Sequence, residues 1–437
     1  MLAFWAPLAA TWLMMAIEGP YVAAIIARLA EPTRNLAAYG IAFSFAFMAE
    51  APIIMMMTAA NALVADRQSL LALRRFMFRL NAVVTVGMAI GLLPPVFRFV
   101  TDRLIGLPPD LAHLTHVSTS ILLPWPAAIG YRRFYQGILV RHHMPRRVAY
   151  GTIVRLVTMS VVAAGLALMT NLAGACIGSL SLGCGVIAEA GASRWMAREI
   201  VTRLLAGSDQ SKGPLTMQEI GRFYFPLALT SLLAIVVNPL VTFLLGRSRS
   251  PIESLAVLPV VTGFVFIFRS GAIAYQEVAV ALAGRDLQRE RQIGRVALEL
   301  AGLSALALGG VLFTPLGDAW FIRVSGLSRD LAAFAIWPAR VLALVPALDY
   351  VIGLQRALLV LARRTRIITA ATAVEVTAIV VVLAVGIGML DLVGATAAAA
   401  AILLGRLCGN LLLVLPGLAP RRISRDPVQD TDARSAA

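Results

Sequence analysis

The apolar positions of this chain form long continuous runs that are separated by short polar loops. A helix needs about 20 apolar residues to cross the hydrocarbon core of a bilayer, and these runs are long enough to do so. The twelve runs are residues 3–27, 36–64, 77–97, 117–140, 148–170, 172–193, 223–246, 253–283, 296–316, 331–361, 367–389 and 392–416. We therefore predict an all-α integral membrane protein with about twelve transmembrane helices, numbered here as spans 1 to 12.

The two halves of the chain repeat each other at a spacing of 219 residues. Residues 4–22 and 223–241 share seven identities in nineteen positions, several times the number expected by chance. The same spacing pairs Tyr131 with Tyr350 and holds over nearly 200 residues. Each repeat contains six spans, and an even number returns the chain to its starting side. The two repeats therefore have the same orientation, as in transporters that are built from parallel repeats.

The repeat predicts how the chain is divided. We expect an N-terminal six-helix bundle at 1–205, a cytoplasmic linker at 206–222, a C-terminal six-helix bundle at 223–416 and a disordered cytoplasmic tail at 417–437. A central cleft is expected between the bundles, lined mainly by spans 1, 2, 7 and 8.

Composition supports a membrane protein. Hydrophobic residues make up 59% of the chain and charged residues only 14%, which excludes disorder and an ordinary soluble enzyme. The net charge of +15 comes almost entirely from arginine, since 37 of the 38 basic residues are Arg. One set of loops, with the tail, carries 22 basic residues and the other set carries 8. The positive-inside rule then places both termini in the cytoplasm and the chain in the inner membrane. It also explains the charge without nucleic acid.

No enzyme motif is present, so no catalytic residue, metal or cofactor is expected. Cys176, Cys184 and Cys408 lie inside apolar runs and form no disulfide or metal-binding pattern. The informative residues are instead the charges inside the spans, because each is costly in a membrane unless it is paired or hydrated. They are Glu18, Glu50, Arg132, Arg133, Arg155, Glu189, Arg269, Glu277, Arg340, Asp349, Arg356, Glu375 and Arg406.

The repeat brings two pairs of opposite charges to equivalent positions. Glu50 of span 2 corresponds to Arg269 of span 8, and Arg155 of span 5 lies within one residue of the position of Glu375 in span 11. The first pair is interpreted either as a latch between the halves or as two charges that are each neutralised locally. The second is a secondary charge pair with either a functional or a packing role.

Other candidates depend on their depth in the membrane. Arg132 and Arg133 lie about 12 Å from the basic loop and point about 100° apart, so at least one is expected to face a hydrated cavity. Glu18 lies near Pro20, which matches Pro239 in the repeat. Proline in a span allows a kink, and an acid beside the kink is a candidate to take up a proton. The candidate substrate-binding or gating residues are Arg340, Arg269, Glu50, Arg132, Arg133, Arg356, Asp349 and Glu18.

Several segments resemble the progressive ankylosis family, in the multidrug/oligosaccharidyl-lipid/polysaccharide (MOP) exporter superfamily that includes the multidrug and toxin extrusion (MATE) transporters. They are LAAYGIAFSF at 36–45, GILVRHH at 137–143, FYFPLAL at 223–229, NPLVTFLLGR at 238–247 and PARVLALVP at 338–346. The resemblance runs in order over about 4–410. It implies a MATE-like fold and export of anionic metabolites, with pyrophosphate, nucleotide and citrate-like acids as candidates. Arg340, within the PARV segment, is the residue that the resemblance marks most directly.

These observations favour an alternating-access transporter that exports a small anionic substrate across the lipid bilayer, acting as a monomer. A proton- or sodium-coupled multidrug antiporter is the first alternative, and a flippase for lipid-linked precursors is the second. An integral-membrane transferase would need a cluster of Asp and His residues at one membrane face, and the sequence has none.

Overall fold

The computed structural model describes residues 2–142, 144–207, 216–235, 237–282, 287–361 and 364–417. Every predicted span folds as one helix or as a series of helices. In the first half these are Leu2–Ile26 (span 1), Pro32–Glu50 and Met56–Leu63 (span 2), Arg67–Gly91, Pro94–Arg98 and Phe99–Ile105 (span 3), Pro109–Ile121 and Trp125–Arg141 (span 4), Pro145–Met169 (span 5) and Gly174–Met196 (span 6). A short helix, Arg198–Ala206, follows.

The second half repeats this order. Its helices are Met217–Ile235 and Val237–Leu245 (span 7), Pro251–Leu282 (span 8), Leu287–Leu312, Pro315–Ala319 and Trp320–Val324 (span 9), Arg329–Val341, Leu342–Leu344 and Val345–Leu361 (span 10), Thr365–Gly388 (span 11) and Gly394–Gly417 (span 12). The predicted linker includes 208–215 and the predicted tail includes 418–437. Both of these stretches lie outside the described residues.

Seven of the described helices are long and apolar enough to cross a bilayer on their own. An eighth is counted when Arg67–Gly91 and Pro94–Ile105 are joined across a bend of 68°. Other spans are divided into shorter helices, which is why a length criterion finds fewer than twelve.

Span 2 and span 8 differ although they occupy equivalent places in the repeat. The first helix of span 2 ends at Glu50, and a turn at residues 51–55 follows it. Pro52 lies in this turn, where its ring and missing N–H disfavour a continuous helix. The equivalent residue in span 8 is Gly271, and there the helix Pro251–Leu282 continues without a break.

Backbone details at one end of the molecule recur at the repeat spacing. Phe99–Ile105 and Trp320–Val324 are both π-helical turns. The glycines that follow them, Gly106 and Gly326, have φ angles of +83° and +75°. Because L-residues with a side chain rarely adopt such angles, glycine suits both positions.

Contacts join the six loops at this end, which we call the arginine-poor face. Its loops are residues 27–31, 92–108, 170–173, 246–250, 313–328 and 389–393. Asn35 Oδ1 accepts a hydrogen bond from the N–H of Ala175 at 2.9 Å, and the hydroxyl of Ser254 accepts the equivalent bond from Ala395 at 3.1 Å. The starts of spans 6 and 12 are thus held in the same way in the two halves.

The two halves meet along spans 1, 2, 7 and 8. A Cβ atom at Gly40 of span 2 would lie 2.7 Å from Cγ of Pro259 in span 8, so the small residue allows the close approach. Large apolar side chains are exposed on the outer spans, as expected for a surface that contacts lipid. Val83, Val161, Leu306 and Val381 are examples from spans 3, 5, 9 and 11.

Candidate functional site

A buried charge network, which we call the N-cluster, lies inside the first half. Glu189 of span 6 accepts hydrogen bonds from Arg132 and, at 3.0 Å, from Gln136, both of span 4. Arg155 of span 5 bonds to Glu18 of span 1 and lies 3.6 Å from Glu189. The four charged residues are at most 9% exposed. The two carboxylates and two guanidinium groups therefore neutralise each other away from solvent.

The helix geometry explains how these side chains meet. Residues four apart lie on the same face of a helix, so Arg132 and Gln136 both face Glu189. Spans 5 and 6 approach closely beside them, since a Cβ at Gly185 would lie 3.1 Å from the carbonyl oxygen of Arg155.

Glu50 and Arg133 lie beside the N-cluster without joining an ion pair. Glu50 is 5% exposed, and its carboxylate accepts a hydrogen bond from Trp125 Nε1 at 3.1 Å. Arg133 contacts Met57 Sδ at 3.9 Å. Among the described residues, neither side chain has an oppositely charged group within ion-pair distance.

A second network, the C-cluster, lies inside the second half. Asp349 of span 10 bonds to Arg269 of span 8 and lies 3.1 Å from Arg406 of span 12. Glu375 of span 11 lies 3.2 Å from Arg406 and 3.8 Å from Arg356. Three arginines therefore share two carboxylates, which leaves one positive charge in excess.

The two clusters also differ in how far solvent reaches them. The side chains of Arg269 and Arg356 are 26% and 23% exposed, whereas those of Arg132 and Arg155 are 4% and 6% exposed. An anion that enters between the helices would meet accessible and incompletely neutralised arginine in the C-cluster only. Guanidinium groups are well suited to carboxylate or phosphate because their N–H groups fit two oxygens at once.

The predicted pairs between equivalent positions do not form in this structure. Glu50 and Arg269 are each bonded inside their own half, so the interpretation as a latch is not met in this conformation and local neutralisation describes Arg269. Arg155 and Glu375 likewise belong to different clusters. The reason is that each charge has a neighbour within its own bundle that lies closer.

Arg340 lies apart from both clusters, although the sequence marks it for substrate binding. Its Nε donates to the carbonyl oxygen of Leu312 at 3.0 Å, and its guanidinium lies 5.4 Å from the ring centres of Phe313 and Trp337. Both aromatic rings are more than 60% exposed. Arg340 therefore caps the C-terminal end of a span 9 helix at the outer surface, where a cation is favourable.

The first half has the same cap with a different residue. A ring nitrogen of His116 in span 4 lies 2.8 Å from the carbonyl oxygen of Leu92, the repeat equivalent of Leu312. This recurrence supports a structural role for Arg340.

The two prolines that were predicted to kink spans 1 and 7 lie inside helices. Pro20 lies within Leu2–Ile26, and a Cβ at Gly263 of span 8 would be 3.2 Å from its ring. Pro239 lies within Val237–Leu245, and its side chain is outside the described part of the chain. Glu277 is also outside it. The kinks stay a prediction.

The sequence lists Glu189 and Arg406 among the intramembrane charges but does not single them out. In the structure each contacts two oppositely charged residues and so joins its cluster together. Their near-equivalence in the repeat, in spans 6 and 12, is the signal that would have found them.

Comparisons with known proteins identify the fold. No family model matches the chain, and no curated protein matches it. A multidrug resistance MATE family transporter of the MOP superfamily, in an inward-facing conformation, aligns with a TM-score of 0.72 at 15% identity and covers 93% of both chains. The lipid II flippase MurJ, in an inward closed conformation, has a TM-score of 0.72 at 12% identity and covers 95% of this chain and 87% of its own.

An outward-facing structure of a MATE family transporter aligns less well. Its TM-score is 0.62 at 14% identity, with 95% of this chain and 94% of that chain covered. The chain thus has the all-α membrane fold of about twelve helices that MATE transporters and MurJ share. The predicted fold class is confirmed, while the progressive ankylosis family stays a prediction.

Proposed function

We propose that this protein is an alternating-access membrane transporter that exports small anionic metabolites, in the class of pyrophosphate, nucleotides or citrate-like acids. The fold supports transport, since its solved relatives carry titles that name transporters or a flippase in inward- and outward-facing states. The distribution of arginine in the loops supports an inner-membrane location with both termini in the cytoplasm. The resemblance to the progressive ankylosis family supports the substrate class.

The observation that carries this proposal is the excess of arginine in the C-cluster. Arg356 is held weakly, at 3.8 Å from Glu375, and both Arg356 and Arg269 are partly accessible. A substrate carboxylate or phosphate would complete the pairing of this cluster. An inside-negative potential favours the exit of each negative charge by about 2.3 kcal/mol per 100 mV, so that efflux needs no coupled ion.

A coupled multidrug antiporter is the second candidate, and one observation favours it. Glu50 is a buried carboxyl group whose described hydrogen bond comes from a neutral indole, so it is a candidate to carry a proton. Export of a lipid-linked precursor is the third candidate, from the shared fold with MurJ.

The experiment is efflux from proteoliposomes that are loaded with labelled citrate, pyrophosphate or ATP, under an inside-negative potential. We expect protein-dependent efflux of at least one anion and its loss in Arg269→Ala. The matched control is Arg340→Ala, which removes another intramembrane arginine of the same half but lies outside the C-cluster. Exchange of a cationic dye for protons, lost in Glu50→Gln, with no movement of any anion would overturn the proposal in favour of the antiporter.

A further inference from the structure

Two arginines at the arginine-poor face occupy equivalent positions and make equivalent contacts. Arg28 follows the end of span 1 and Arg247 follows the end of span 7, and they are 219 residues apart. An N–H group of Arg28 donates to the carbonyl oxygens of Arg323 at 2.7 Å and Val324 at 2.8 Å. Arg247 donates to the carbonyl oxygens of Leu104 at 2.8 Å and Arg103 at 2.9 Å.

The acceptors are equivalent as well. The carbonyl groups of residues 103 and 104 correspond to those of 323 and 324, and both pairs lie at the C-terminal ends of the π-helical turns. The last carbonyl groups of a helix have no partner within it and carry partial negative charge. A guanidinium group with several N–H donors is therefore well suited to each of these ends.

Each contact joins one half of the molecule to the other. Arg28 belongs to the first half and bonds to span 9, while Arg247 belongs to the second half and bonds to span 3. The backbones also come close beside one contact, since a Cβ at Gly246 would lie 2.4 Å from the carbonyl oxygen of Ile105. On the other side, a Cβ at Gly326 would lie 2.8 Å from an N–H group of Arg28.

Other arginines at this face act differently. Arg34 pairs with Glu31 at 3.0 Å and with Asp110 at 3.2 Å, and all three belong to the first half. Bonding between the halves is therefore a property of Arg28 and Arg247 and not of arginine at this face in general.

We propose that Arg28 and Arg247 form a symmetric pair of clasps that closes the arginine-poor face and must release when that face opens. This inference rests on the proposed alternating access and adds the residues that gate one side of it. Both guanidinium groups are exposed, so water can replace the carbonyl partners and the clasps can release without uncovering buried charge. The better alignment with the inward-facing than with the outward-facing MATE structure agrees with closure of this face.

The test measures the distance across the face in the full-length protein in lipid nanodiscs. Spin labels are attached to Asp110→Cys and Asp330→Cys, which are exposed and equivalent positions at the starts of spans 4 and 10. Cys176, Cys184 and Cys408 are first replaced by Ser. Distances are then compared by pulsed electron paramagnetic resonance in the parent, Arg28→Ala, Arg247→Ala and the double variant.

We expect the two single variants to add a longer-distance population of similar size, and the double variant to enlarge it further. Arg98→Ala, which removes an exposed arginine of the same face, serves as the control and should match the parent. A distance distribution in the double variant that matches the parent would overturn the proposal. If the double variant does not fold, the single variants and Arg28→Lys decide in the same way, because lysine keeps the charge and loses the paired donors.

The distances are measured without substrate, so the outcome is separate from the proposed function. Opening of the face in a protein that moves no anion would support the clasps and count against anion export. Efflux of anions with unchanged distances would do the opposite.

Discussion

The arginine-poor face and the membrane interior differ in how they follow the repeat. At the face, Arg28 and Arg247 make the same bonds to equivalent carbonyl groups. In the interior, equivalent spans carry opposite charges, as with Glu50 in span 2 and Arg269 in span 8. The parts that close the molecule are thus duplicated, whereas the charged chemistry differs between the halves. In a transporter this arrangement lets both halves move alike while one of them recognises the substrate.

The difference between the two clusters is one of balance and access. The N-cluster pairs two acids with two bases in a buried network, and the C-cluster has three bases for two acids and is partly open. We therefore assign a mainly structural role to the N-cluster and a substrate-binding role to the C-cluster. Three predictions test this assignment.

The largest effect is expected from Glu189→Gln. Removal of this charge leaves Arg132 and Arg155 buried with one carboxylate between them, and breaking a buried pair costs about 3–5 kcal/mol. The measurement is the free energy of unfolding in detergent. Asp349→Asn should cost less, because the side chain of Arg269 is 26% exposed and water can solvate it. Equal losses in the two variants would remove the difference between the clusters.

An intermediate effect is expected from Arg356→Gln, and it should fall on transport. Its ion pair with Glu375 is long, at 3.8 Å, so its loss should change stability by no more than about 1 kcal/mol. The KM for anion efflux should rise about tenfold, which corresponds to about 1.4 kcal/mol of lost binding. Arg155→Gln is the comparison, and it should lower stability instead. An unchanged KM in Arg356→Gln would contradict a substrate site in the C-cluster.

The smallest effect is expected at the helix caps. Arg340→Gln and His116→Gln each remove a side chain that bonds to the end of a span 3 or span 9 helix, and the loss in unfolding free energy should be about 1 kcal/mol for each. Neither change should alter the KM for an anion. A strong KM effect of Arg340→Gln alone would restore it as a substrate-binding residue, as its place in the PARV segment implies.

The fold could be predicted from the sequence because its main signal is long-range and repeated. Apolar runs and the spacing of 219 residues give the number and order of the spans. The breaks within spans are harder to predict, since Pro52 accompanies a break in span 2 whereas Pro259 lies inside the continuous helix of span 8. Tertiary packing decides between these outcomes.

The candidate site could be predicted in its members but not in its pairing. Burial cost identifies intramembrane charges one at a time, and it correctly singles out Arg269 and Asp349 as charged positions of the interior. Which charges meet depends on helix rotation, which a one-residue offset changes by about 100°. For this reason the sequence aligned Glu50 with Arg269, whereas the structure bonds Arg269 to Asp349.

The most direct test of the account is the sign of the charge that the protein moves. Proteoliposomes adsorbed on a solid-supported membrane are exposed to a concentration jump of citrate or pyrophosphate, and the transient current is recorded. We predict a current that carries negative charge down the anion gradient and is abolished in Arg269→Ala but kept in Arg340→Ala. No response to any anion, together with a current that carries positive charge on addition of a cationic drug, would contradict anion export by the C-cluster.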